Sequence, residues 1–228
     1  MIKAVLFDID NTLYDNTKQV ELARRNAIEA MIEAGLKLPA EEALEILVNI
    51  VKKHGPNYER HFDTLVEKSR SKARARIVAA GIVAYHNTKV AHLKPFPDTI
   101  ETLLKLKGRG YRLGIITEGM AIKQWEKIIR LGLQHFFDVV LISRETEGQK
   151  SSGKIFKKAA KDMGLKPEEC IYVGDKLGRD VLGAKKSGMV SVRILKGKYR
   201  DERPRNRDET PEYEIKDLGE LLRIDILK

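Results

Sequence analysis

The sequence predicts an α/β fold: a mostly parallel sheet flanked by helices, with an all-helical block inserted after the first strand. Three observations carry this. The chain opens on a short apolar run, Ile2 to Ile9. Strand-like and helix-like patterns alternate from about residue 97 onward. Between these parts, residues 14–96 show helical periodicity and no convincing strand.

The opening run is interrupted only by Lys3 and Asp8. A segment so short and so rich in Val, Ile, Leu and Phe reads as a strand buried on both faces. It stops at Asp10-Asn11-Thr12, which are turn and cap residues. Next, Glu21 to Ile32 places Leu22, Ala23, Ala27, Ala30 and Met31 at helical spacing. Glu41 to Lys53 repeats the pattern with Leu44, Ile46, Leu47, Ile50 and Val51. A third helix is predicted from about Tyr58 to Ala80, with breakers at Gly35, Pro39, Gly55-Pro56 and Gly81. Lys94-Pro95-Phe96-Pro97-Asp98 is a stiff connector.

Beyond the connector, strands are predicted at Arg112–Thr117, Val139–Ser143, Cys170–Gly174 and Val190–Leu195. Helices are predicted near Thr99–Arg109, Ala121–Leu131, Lys154–Met163 and Asp180–Ser187. This alternation implies right-handed crossovers and helices on both sheet faces. The N-terminal strand needs the later strands as neighbours. The expected domains are therefore an α/β core of residues 1–13 and 97–228, and a helical block of residues 14–96.

Composition fits one large domain carrying an insertion: 228 residues, 42% apolar and 33% charged. No apolar run approaches the roughly 18 residues of a membrane span. Met1 to Val5 lacks the marks of a secretory signal, and the single cysteine, Cys170, excludes an internal disulfide. A cytoplasmic protein is expected. The net charge of +10 fits a nucleic-acid partner or a phosphorylated substrate. The charges are mixed in sign, however, as in Glu41-Glu42 followed by Lys52-Lys53. Many Lys and Glu with few Asn, Gln and Cys also fit a thermostable protein.

In open parallel sheets, ligands bind beyond the carboxyl ends of the strands. Asp8-Ile9-Asp10 ends the first strand, Thr117 the second, and Asp175 a later one, with Asp180 five residues on. Lys150 follows the strand closing at Ser143. Each has a bland reading alone. A D-x-D at a strand end is often a helix cap. Thr117 suits a cap, Lys150 a solvated charge, Gly174-Asp175 a turn. Together and in order they suit phosphoryl transfer. A carboxylate attacks phosphorus, a second acid protonates the leaving oxygen, and several carboxylates hold Mg²⁺.

These residues resemble the four motifs of the haloacid dehalogenase-like (HAD) hydrolase superfamily. Asp8-Ile9-Asp10-Asn11-Thr12-Leu13 is similar to the first, D-x-D-x-T-L. Thr117 closes the second. Lys150 gives the third, and Gly174-Asp175-Lys176-Leu177-Gly178-Arg179-Asp180 the fourth. The resemblance implies a Rossmann-like core with a helical cap after the first motif. It implies Asp8 as nucleophile and Asp10 as general acid/base. Thr117 and Lys150 hold and neutralise the phosphoryl group. Asp8, Asp175 and the backbone carbonyl of Asp10 ligate Mg²⁺, with Asp180 as an outer ligand or an orienter of Lys150. Asp10 also chooses among family activities, because halide departure needs no acid there. Gln124-Trp125-Glu126-Lys127, with Arg130-Leu131-Gly132 and Phe136-Phe137-Asp138, resembles an archaeal group described as glyceraldehyde 3-phosphate phosphatases.

Two departures are visible. Glu118 stands where the family often has Asn, which places a carboxylate near the phosphate unless it turns away or meets a cation. Ser151-Ser152-Gly153 replaces the usual Pro-x-Pro after the lysine, so the loop is expected to be more flexible, with serines free to cap the next helix.

Other residues take structural readings. Cys170 reads as a small core residue. The histidines at 54, 61, 86, 92 and 135 show no ligand spacing. The alternate-residue run Lys68, Arg70, Lys72, Arg74, Arg76 would spread around a helix rather than form one stripe. Arg193 to Arg207 reads as a basic, turn-rich stretch, either a flexible loop or a partner contact, and Trp125 with Ile122 and Ile129 as packing. The expected function is a Mg²⁺-dependent phosphatase for a small phosphorylated metabolite. Its alternatives are a sugar-phosphate mutase or dehalogenase on the same fold, and a basic nucleic-acid-binding module.

Overall fold

The computed structural model describes residues 1–143 and 149–227. Six strands form one sheet: β1 (Ala4–Phe7), β2 (Arg112–Thr117), β3 (Val139–Ile142), β4 (Cys170–Gly174), β5 (Val190–Ile194) and β6 (Tyr213–Ile215). Their order is β3-β2-β1-β4-β5-β6 and every pairing is parallel. The chain winds outward from β1 in one direction through β2 and β3. It then returns to β1's other edge as β4. That reversal leaves a crevice beyond the carboxyl ends of β1 and its two neighbours.

Period-two alternation divides the strand residues between two cores. Val5, Phe7, Leu113, Ile115, Ile171 and Val173 face one side, where they meet Leu103, Leu106, Ile128 and the C-terminal Leu218 and Leu221. Ala4, Leu6, Ile116, Cys170 and Tyr172 face the other, against Ile155, Phe156, Ala159 and Ala184. The helices supplying these faces are α5 (Thr99–Gly108), α6 (Ala121–Arg130), α7 (Lys154–Asp162) and α8 (Leu182–Ser187). A sheet covered on both faces is what near-continuous apolar strands require.

The chain divides into two compact units, residues 1–17 with 93–228, and residues 18–92. The second is helical: most of α1 (Asn16–Glu33), then α2 (Ala40–His54), α3 (His61–Lys68) and α4 (Arg74–Ala91). Its own core gathers Ile28, Met31, Leu47, Ile50, Leu65 and Ile77. No helix among the described residues is long and apolar enough to cross a membrane.

The structure corrects four expectations. The helix predicted over Tyr58–Ala80 is two, because Ser69 and Ser71 break it. Ser69 Oγ donates to Val66 O at 2.8 Å, and Ser71 Oγ accepts from Lys37 N at 2.9 Å. The alternate basic run therefore spans a helix end, a loop and a helix start. Gly81 is not a breaker but lies inside α4. A Cβ there would stand 2.7 Å from Met31 Sδ, so the close approach to α1 explains the glycine. Trp125 is not packed: it is 38% exposed, with Ile122 at 79% and Ile129 at 56%. The face α6 buries is Gln124 and Ile128 instead.

Arg193, finally, is buried on β5 rather than part of a loose basic stretch. It donates to Glu214 Oε1 at 3.0 Å and to Tyr199 O at 2.7 Å, clasping the segment that follows. The strand β6 was not predicted. It is only three residues long and flanked by charge, so its sequence carries too little periodicity to read.

Candidate active site

The site lies wholly within the α/β unit, at the carboxyl ends of β1, β2 and β4. In register, Phe7 pairs with Ile115 on one side and Val173 on the other. Asp8 is therefore the first residue past the sheet's central strand, and its N–H donates to Val173 O at 2.9 Å. Thr117 closes β2 and Asp175 follows β4. Asp8, Asp10, Thr117, Glu118, Lys150, Lys176, Arg179 and Asp180 line one cleft.

Lys150 binds the site together from below. Its ammonium lies 2.8 Å from Asp8 Oδ1 and 2.9 Å from Asp180 Oδ1, and all three side chains are buried. Its third proton goes to Tyr172 Oη at 2.7 Å, and that hydroxyl donates in turn to Ile116 O at 2.8 Å. Lys150 opens a short 3-10 turn, Lys150–Ser152, closed by Ser152 Oγ donating to Gln149 O at 2.8 Å. Ser152 Oγ also accepts from Lys154 N at 3.4 Å, at the start of α7.

Asp180 comes from a π-helical turn, Leu177–Val181, that precedes α8. Its Oδ2 accepts from Lys176 N at 3.0 Å. The turn packs so tightly on the end of β4 that a Cβ at Gly174 would fall 2.5 Å from Asp180 Cγ. Only glycine serves there, which gives the G-D-x-x-x-x-D spacing a steric reason.

Asp8, Asp175 and Asp180 each offer an oxygen within 4.8 Å of one another, and all three residues are buried. Asp175 Oδ2 accepts from Asn11 Nδ2 at 3.0 Å. Asn11 adopts a left-handed backbone, φ 60°, which asparagine tolerates. Its Oδ1 is fixed by Thr17 N and Oγ1 at 2.9 and 3.0 Å. Asp175 Oδ1 is buried with no hydrogen-bond partner among the described residues. A buried anionic oxygen without a donor is costly. Together with an all-carboxylate donor set, it fits a hard divalent cation.

Asp10 stands apart from that cluster. Both its oxygens accept from Lys127 Nζ, at 2.7 and 2.9 Å, and Tyr14 Oη donates to Oδ1 at 2.6 Å. Glu118 does meet a cation. Its Oε2 lies 2.6 Å from Arg179 Nη1, and Oε1 accepts from Lys150 N at 3.1 Å.

The charges follow from this geometry. Burial works against ionisation of Asp8, but Lys150 and Lys176 outweigh it and hold the carboxyl below the usual range. Burial likewise opposes the charge on Lys150, and Asp180 and Asp8 overcome it. Burial pushes Asp175 up to about 7, against the pull of Lys176, with Asp180 and Asp8 adding to the rise.

The structure brings the candidate site residues Asp8, Asp10, Thr117, Glu118, Lys150 and Asp180 to one cleft, with Asp175 buried and offering an oxygen within 4.8 Å of Asp8 and Asp180. Sequence reasoning gave no role to Lys127, Tyr172, Lys176, Asn11 or Arg179. Lys176 and Arg179 had a usable signal, since they lie within the fourth motif. Asn11 lies in the first motif and Lys127 in the stretch shared with the archaeal group, but neither resemblance says what the side chain reaches. Tyr172 had no signal, because strand periodicity does not say which polar side chain enters a site.

Comparison with known proteins adds the following. A family described as haloacid dehalogenase-like hydrolase matches residues 5–194. A protein of Methanopyrus kandleri named glyceraldehyde 3-phosphate phosphatase is 54% identical over 224 residues, 97% of this chain and 96% of its own. One of the same name from Methanocaldococcus jannaschii is 50% identical, covering 100% of this chain and 98% of its own. Among solved structures, a HAD phosphatase from Thermococcus onnurineus superposes with a TM-score of 0.70 at 29% identity, over 98% of this chain and 97% of that one. A magnesium-bound HAD hydrolase from Bacillus subtilis gives 0.71 at 21% identity, over 100% and 99%, a likeness of fold.

Proposed function

The chain belongs to the haloacid dehalogenase-like hydrolase family, and from that membership we propose a phosphatase that hydrolyses a small phosphorylated metabolite with Mg²⁺ as cofactor. Glyceraldehyde 3-phosphate is the first candidate substrate, after the archaeal relatives named for it. The observation that carries the reading is a division of labour among carboxylates. Asp8 and Asp175 are buried within one ion's reach, while Asp10 is held apart from them on Lys127 and Tyr14. One carboxylate sits at the ion site as nucleophile, and another stands clear of that site, where a general acid/base is needed.

In this reading, an oxygen of Asp8 attacks phosphorus as the bond to the ester oxygen breaks, and Asp10 gives that oxygen its proton. Asp10, now a carboxylate, takes a proton from water as the water oxygen attacks the aspartyl phosphate. Cleavage of the bond to Asp8 releases orthophosphate and restores both groups. Lys150 pins Asp8 and keeps it anionic, and Asp180 orients Lys150. Thr117, at the end of β2, holds a phosphoryl oxygen. Asp8, Asp175 and the carbonyl of Asp10 would hold Mg²⁺, which when bound would offset the repulsion between nucleophile and phosphoryl group. The helices of residues 18–92 occupy the place in the chain of the family's helical cap and would select substrate.

The test is phosphate release from a panel of phosphorylated metabolites that includes glyceraldehyde 3-phosphate. Wild type with Mg²⁺ should release phosphate. A chelated sample and Asp8→Asn should not. Comparable release by either removes the mechanism, and isomerised sugar phosphate without free phosphate would make the protein a mutase.

A further inference from the structure

Two lysines line the cleft, and they are in opposite states. An ammonium has three protons to give. Those of Lys150 are all committed, to Asp8 at 2.8 Å, Asp180 at 2.9 Å and Tyr172 at 2.7 Å. A phosphoryl oxygen can gain a proton from Lys150 only by displacing one of these partners. Arg179 is tied to Glu118 at 2.6 Å.

Lys176 is different. Among the described residues, the carboxylate oxygen nearest its ammonium is Asp175 Oδ1 at 3.8 Å, beyond hydrogen-bond reach. The ring of Tyr199 lies 5.6 Å from Nζ, a cation–π distance that steadies the charge without using a proton. The side chain is only 25% exposed, so water replaces few of the missing partners. We propose that Lys176 is a substrate-binding residue, whose ammonium donates to a non-bridging oxygen of the incoming phosphoryl group. It rests on the phosphatase reading for the identity of the anion. Lys150 then organises the nucleophile, and Lys176 makes the direct cationic contact with substrate.

The acidic surroundings favour that role. Asp8, Asp10 and Asp180 line the same cleft, so the ammonium is held among the groups that surround the reacting phosphoryl. The competing role is electrostatic only, with Lys176 offsetting the carboxylates in place of a divalent ion. The two roles differ in which ligand feels the loss of the lysine.

Calorimetric titration of inorganic phosphate into Mg²⁺-saturated wild type, Lys176→Met and Lys176→Arg separates them. The phosphate Kd is expected to rise about tenfold or more in Lys176→Met, the loss of one charge-assisted hydrogen bond. Lys176→Arg should recover most of it. The KM for the ester should follow the Kd while kcat changes less. Titration of Mg²⁺ alone should show no weakening in Lys176→Met. If that variant fails to fold, Lys176→Gln carries the same expectation. Equal phosphate affinity in wild type and variant overturns the proposal, whether or not Mg²⁺ then binds more tightly. So does a wild type that binds no phosphate. Failure of the phosphatase reading looks different: no ester releases phosphate, whatever the phosphate affinities.

Discussion

Lys150 Nζ lies 2.8 Å from Asp8 Oδ1, and both side chains are almost wholly out of water. Removing the lysine leaves Asp8 and Asp180 buried without a counter-charge. Breaking a buried pair from one side costs about 3–5 kcal/mol. Lys150→Met is expected to lose about 3 kcal/mol of stability at neutral pH, read by denaturant unfolding. Phosphate release should fall by about a hundredfold or more, as for loss of a positioned charge in an active site.

A divalent ion held by Asp8 and Asp175 should stabilise the folded protein. A ligand that binds only the folded state raises stability by about 2.7 kcal/mol at a hundredfold excess over its Kd. Millimolar Mg²⁺ is expected to raise the Tm of wild type, and a chelator to reverse the change. Asp175→Asn removes the buried oxygen that has no donor among the described residues. Its Tm should be insensitive to Mg²⁺, and a shift equal to that of wild type would remove Asp175 from the ligand set.

The fold was legible because its signals are local and strong. The strands at Arg112–Thr117 and Cys170–Gly174 have the bounds their apolar runs mark. Asp8, Thr117, Lys150 and Asp175 were legible because each closes or follows a strand or opens a helical turn in a fixed order. What was not legible depends on orientation. Ile122, Trp125 and Ile129 have helical spacing, but only the packed chain says that α6 turns Gln124 and Ile128 inward. Lys127 meets Asp10 across a long stretch of sequence, and no period records such a contact. Gly81 has the composition of a breaker, and only the nearness of Met31 explains it as a helix interior.

Trp125 is the sole tryptophan of the chain and is 38% exposed on α6. Its fluorescence should be accessible to acrylamide in the folded state. Trp125→Gln is expected to change stability by no more than about 0.5 kcal/mol, the range of surface substitutions. A blue-shifted emission shielded from quencher would restore the packed reading for this residue.

His61 supplies a pH dependence within the helical unit. Burial holds its imidazole below the usual 6.5, with Arg24 and His54 adding, against the pull of Gly55 O at 2.9 Å. The unfolded chain therefore takes up its proton at higher pH than the folded one. The stability from neutral His61 is full above 6.5 and is lost as pH falls below it. His61→Gln keeps a donor for Gly55 O and cannot titrate. Its Tm should fall less than that of wild type between pH 7.5 and 5.5, two conditions set to bracket the ordinary histidine value of about 6.5.

Tyr172 separates positioning from mere packing. Its ring makes an edge contact with Phe156 at 4.7 Å, which phenylalanine would keep. Its hydroxyl accepts from Lys150 at 2.7 Å and donates to Ile116 O at 2.8 Å, which phenylalanine would lose. Tyr172→Phe leaves one Lys150 proton and one buried carbonyl without partners, a cost of about 1–3 kcal/mol. If the hydroxyl positions Lys150, kcat should fall several-fold while the KM for the ester holds, because the nucleophile's partner is disturbed and the substrate's contacts are not. The freed Lys150 proton also becomes available to phosphate, so phosphate binding should hold or tighten. A Tyr172→Phe variant with unchanged kcat would mean that Asp8 and Asp180 suffice to place Lys150. The hydroxyl would then serve stability alone.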